Sequence, residues 1–133
     1  MPDKCEANID IRLLPSQTKD EVLDIIKAKL DELKIQYNLE ILQHEQAYLT
    51  DSKNSFVQIL KNTAREVLDQ EISLVASGQG SVGNVISKIN IPITNAFGVN
   101  SDNVHAPNEW INIDTIPKIF EVYKQSLIEF SKE

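Results

Sequence analysis

The chain is short of the residues most chemistry is built from. Its 133 residues include one cysteine, four glycines, one tryptophan and two histidines. Each shortage excludes something. A single cysteine, Cys5, permits no disulfide within the chain and no cysteine-based zinc cluster. No histidine lies near it in sequence to activate the thiol, so it reads as inert, and the setting it suggests is a reducing cytoplasm. Thirteen basic residues stand against 20 acidic ones, for a net charge of −7, and the basic residues form no run. That argues against nucleic acid or an anionic membrane surface as partner, since both require clustered Lys and Arg. No apolar stretch approaches the ~20 residues that span a bilayer. The opening MPDKCEANID has none of the apolar character of a signal peptide. There is no internal repeat and no low-complexity tract.

What is present is enough for a core: 41% of the residues are hydrophobic, in a length that suits one modest domain. Residues 7–14 alternate, with Ala7, Ile9, Ile11 and Leu13 on one side, and predict a half-buried strand ending at Pro15. Thr18 followed by Glu21 is a capping-box pattern. Val22, Ile25, Ile26, Leu30 and Leu33 then mark a helix running to about residue 34. A second alternating strand is expected over 35–42. The polar connector 43–51 is a candidate boundary, and its His44 reads as a solvated loop histidine. Asp51 or Ser52 is placed to cap the next helix, whose stripe is Phe56, Ile59, Leu60, Ala64, Val67 and Leu68. Short apolar strands are expected at 72–76 and 91–97, separated by the glycine–serine turn SGQGSVGNV and a short helix starting near Ser81. A last helix follows Asp114 or Thr115, with Pro117 in its first turn and an apolar face of Ile119, Phe120, Tyr123, Leu127 and Phe130. Strands alternating with helices predict an α/β or α+β fold.

One stretch departs from these patterns. Residues 97–110, FGVNSDNVHAPNEW, are polar and aperiodic, and loops carried by rigid elements are where chemistry tends to sit. His105 lies there with Asn108 and Glu109, polar neighbours able to orient an imidazole. A lone loop histidine is more often simply solvated, and a catalytic zinc site takes three protein ligands and an open position. No HxxxH, HxE or cysteine cluster supplies them. Ser81 after Gly80 reads as a helix cap more readily than as a nucleophile, because GQGSVG is not GxSxG in register. Arg12 is either a solvated strand arginine or a carboxylate binder, for which its guanidinium fork is suited. These residues are far apart in sequence, and spacing alone gives no reason to group them.

Three segments taken together do group them. PDKCEANIDIRLLPSQTKDEVLDII, SGQGSVGNVISKINIPITNAFG and NVHAPNEWINIDTI resemble, in order, the zinc-dependent exopeptidase and deacylase family. That family includes aminoacylase, carnosinase, glutamate carboxypeptidase, acetylornithine deacetylase and succinyl-diaminopimelate desuccinylase. DIRLLP is weak alone; VHAPNEW after a glycine–serine turn is more specific. The resemblance covers nearly the whole chain but only the C-terminal third of such an enzyme. It implies that residues 1–48 are the second half of a lid (dimerisation) domain, built as strand, helix, strand. Residues 49–133 would be the C-terminal segment of the catalytic domain, in the order helix, strand, helix, strand, helix.

By the same resemblance, His105 corresponds to the last metal-ligand histidine, Arg12 and Ser81 to substrate-carboxylate contacts, and Glu109 with Asn108 to supporting residues. The Gln79-Gly80 and Val82-Gly83 positions depart from the family's usual pattern, which leaves subfamily and substrate open. The histidine–aspartate and paired-glutamate segments, which carry the general base and the other zinc ligands, have no counterpart here. The expectation is therefore a metallopeptidase or amidohydrolase fragment for peptide or N-acyl amide bonds, inactive alone and binding no zinc tightly. It would act as a homo-oligomer or with a missing N-terminal catalytic part. The alternative is a non-catalytic oligomerisation module of the same descent.

Overall fold

The computed structural model of the chain describes residues 3–133. The backbone separates into two compact units, Met1–Leu49 and Thr50–Glu133. Among the described residues the fold is mixed: helices plus one small two-stranded sheet.

The first unit contains helix α1, Lys19–Glu32. It forms where the capping pattern placed it. Thr18 Oγ1 accepts the Glu21 amide at 3.3 Å, and the Glu21 carboxylate accepts the Thr18 amide at 2.8 Å. Two amides that the first helical turn leaves without carbonyl partners are thus satisfied reciprocally. Before it, a turn closes with Gln17 N donating to the Leu14 carbonyl at 2.9 Å. Beyond it, the chain leaves through Lys34 at φ 53°. The Tyr37 hydroxyl reaches back to Asp31 Oδ1 at 3.1 Å. No α1 residue is buried.

Residues 7–14 and 35–42, expected as strands, pair with no strand among the described residues. Alternation specifies a face, but a strand also needs a neighbour to complete its hydrogen bonds. Here the alternating residues Ile9, Ile11, Ile35 and Ile41 remain exposed.

The second unit is organised by two helices, α2 at Ser55–Leu68 and α4 at Ile116–Phe130. Helix α2 is capped by Asn54, whose side chain accepts the Phe56 amide at 3.0 Å, rather than by Asp51 or Ser52. Asp51 instead closes the preceding turn by accepting the Lys53 amide at 2.9 Å. The chain leaves α2 through Asp69, left-handed at φ 51°. Val57, Leu60, Thr63 and Ala64 are its buried face. Leu60, Ala64 and Val122 form the centre of the core, with Val67, Leu68, Ile72 and Phe97 packed around it. Ala64 and Val122 are both 0% exposed. A methyl group at 64 lets the α4 backbone approach closely enough for Val122 to fill the gap. Phe56 and Phe130 meet edge to face with ring centroids 5.8 Å apart.

The inward face of α4 is only in part the expected one: Ile119 is buried, and Tyr123 and Phe130 pack on Phe97 and Phe56. Ile119, Val122 and Ser126 are buried, while Phe120 and Leu127 are 66% and 68% exposed. Helix α4 is apolar on two sides, and periodicity cannot say which side meets α2. The expected strands at 72–76 and 91–97 are likewise not regular elements. Val75 is 85% exposed, and residue 93 is held by a side chain instead of a neighbouring strand. Thr50 Oγ1 donates to the Ile93 carbonyl at 2.7 Å and accepts the Ile93 amide at 3.1 Å. Between these stretches lies a single helical turn, α3 at Gly83–Ile86, continued by a 3-10 turn at Ser87–Ile89. The expected order of strands and helices is therefore replaced by four helices and one hairpin among the described residues.

Candidate functional site

The aperiodic stretch around His105 is a short hairpin. Strand β1, Ser101–Asp102, runs antiparallel to β2, Trp110–Ile111, pairing Ser101 with Ile111 and Asp102 with Trp110. The ladder is extended at its base by Asn112 N donating to the Asn100 carbonyl at 2.8 Å. Thr115 Oγ1 accepts the Asn100 amide at 3.2 Å, tying the hairpin to the 3-10 turn Ile113–Thr115 that leads into α4. The approach to β1 is fixed as well. The Tyr123 hydroxyl donates to the Phe97 carbonyl at 2.6 Å, and the two rings meet edge to face at 5.7 Å. Burial pushes the Tyr123 hydroxyl pKa above its ordinary value, because the phenolate would lose hydration there.

Residues 103–109 form the tip. Three of them, Asn103, His105 and Asn108, adopt left-handed backbone at φ 56°, 62° and 62°. Asparagine tolerates this region because its short polar side chain bonds locally; histidine does so less readily. The tip is closed by its own groups. Asp102 Oδ1 accepts the Asn103 amide at 2.8 Å, and the Asn103 carbonyl accepts the Ala106 amide at 2.9 Å. Asn103 Nδ2 donates to the Asn108 carbonyl at 3.5 Å, a long contact. Asn103 is thus the organiser of the tip. Turn chemistry, an Asp-Asn pair between apolar runs, was the signal available for it. His105 and Glu109 are exposed, so the imidazole projects from a closed turn into solvent.

The other expected site residues belong to other segments of the chain. Ser81 is half-buried. Its Oγ accepts the Gly83 amide at 3.1 Å, and its own amide donates to Asn84 Oδ1 at 2.9 Å. Ser81 and Asn84 together close the turn that leads into α3, whose N-cap position is Val82, without a side-chain cap, rather than Ser81. Arg12 belongs to the first unit and pairs with Asp10 at 2.9 Å on an open surface. An open depression of about 490 Å³ is lined by Arg65, Glu66, Asp69, Gln70 and Glu71 at the end of α2. None of the expected site residues lines it.

Among the described residues, no group of three or more His, Cys, Asp and Glu comes together to hold an ion. One imidazole does not meet the donor count of a zinc site, so no chemical step is assigned to a metal held by these residues. No helix among the described residues is long and apolar enough to cross a membrane.

An uncharacterised metallohydrolase of Methanocaldococcus jannaschii is 26% identical over 140 residues, which is 96% of this chain and 34% of that protein. A succinyl-diaminopimelate desuccinylase of Sulfurovum sp. is 26% identical over 131 residues, 98% of this chain and 35% of the relative. A probable di- and tripeptidase of Saccharomyces cerevisiae is 33% identical over 132 residues, 92% of this chain but 15% of the relative. The chain spans about a third of the length of the first two. No solved structure matches it. Residues 2–129 match the profile of peptidase family M20/M25/M40, and the chain belongs to that family of hydrolases.

Proposed function

We propose that this chain is the C-terminal portion of a zinc-dependent hydrolase of peptide or N-acyl amide bonds, and that it does not hydrolyse them by itself. One observation carries the reading. The family match runs along almost all of the chain, yet the chain equals only about a third of the first relatives' length and assembles no metal-ligand group among its described residues. What it contributes is positional. His105 is one metal ligand, presented on a closed hairpin tip, with Asn108 and Glu109 supporting it. Arg12 and Ser81 bind the carboxylate end of the substrate, the guanidinium by paired hydrogen bonds and the serine from the start of α3. Residues 1–48 are the partial lid and 49–133 the catalytic-domain segment.

The remaining ligands and the general base come from a complementary N-terminal catalytic part, and the chain assembles as a homo-oligomer or with that part. The names of the relatives, a desuccinylase and a di- and tripeptidase, support amide bonds next to a carboxylate as the substrate class. The test is direct. Purified chain is incubated with zinc and N-acyl amino acids or dipeptides, and free amine is measured. No release above the buffer rate is expected. Turnover that a chelator abolishes would overturn the reading.

A further inference from the structure

We draw no further inference here: the strongest candidate, the exposed apolar stripe of Phe120, Tyr123 and Leu127 along the outer side of α4, carries none because nothing in the structure shows what covers it.

Discussion

Helices α1 and α2 are each 14 residues long, and each begins at a side chain that caps its first amides, yet α1 buries no residue and α2 buries four. Local signals are equally clear in both. The difference is what each meets: α2 lies against α4, whereas Ile25 on α1 is 63% exposed. Caps and periodicity decide where a helix forms. Packing of an apolar face decides how much of the fold's stability it holds. In this chain the stability therefore resides in Thr50–Glu133, and α1 is held mainly by its own ends.

The largest expected effect is in α2. Leu60→Ala removes a side chain from the centre of the core and is expected to cost about 2–5 kcal/mol, read as a lower denaturation midpoint. Ile25→Ala in α1 is expected to change the same midpoint by no more than ~0.5 kcal/mol. Equal losses at the two positions would erase the contrast. A smaller effect of opposite sign is expected in α4. The Ser126 hydroxyl is buried and meets no hydrogen-bond partner among the described residues, so Ser126→Ala should raise the midpoint by roughly 1 kcal/mol. A lower midpoint would mean the hydroxyl is satisfied after all.

The effect in α1 is the smallest and the most local. Thr18→Ala removes the cap and should cost about 0.5–1 kcal/mol, seen as faster amide exchange in the first turn of α1 with α2 unchanged. Acid should mimic it. The hydrogen bonds from Thr18, its backbone amide foremost, hold the Glu21 pKa below its ordinary value of 4.5. A lowered carboxyl pKa contributes stability that is fully present above the ordinary value and is lost as pH falls through the lowered one. Amide protection at the start of α1 should thus be flat above pH 4.5 and decline below it; the decline should shrink in Thr18→Ala, whose backbone amide still donates to Glu21, and vanish in Glu21→Gln.

The same contrast explains what could be read from residues alone. The capping box at Thr18 and Glu21, the α2 stripe and the proline-led start of α4 are local, and each forms where expected. The α4 face is a tertiary choice. Phe120 and Leu127 fit a helical stripe as well as Ile119 and Val122 do, and only contact with α2 separates them. Residues 7–14 and 35–42 show a strand's alternation without a neighbour to pair with. At the candidate site, His105 was singled out by its polar surroundings and by VHAPNEW. The short ladder beneath it leaves no mark in the sequence because two-residue strands have no periodicity to detect. Its left-handed backbone was equally hidden, since glycine, the usual marker of such positions, is absent from the tip.

By the function proposed above, this family member carries its metal site only in part, with His105 as the portion present. Equilibrium dialysis of the purified chain against zinc, beside His105→Ala, tests it most directly. No stoichiometric tight zinc is expected in either protein. One tightly held zinc per chain, lost in His105→Ala, would contradict it.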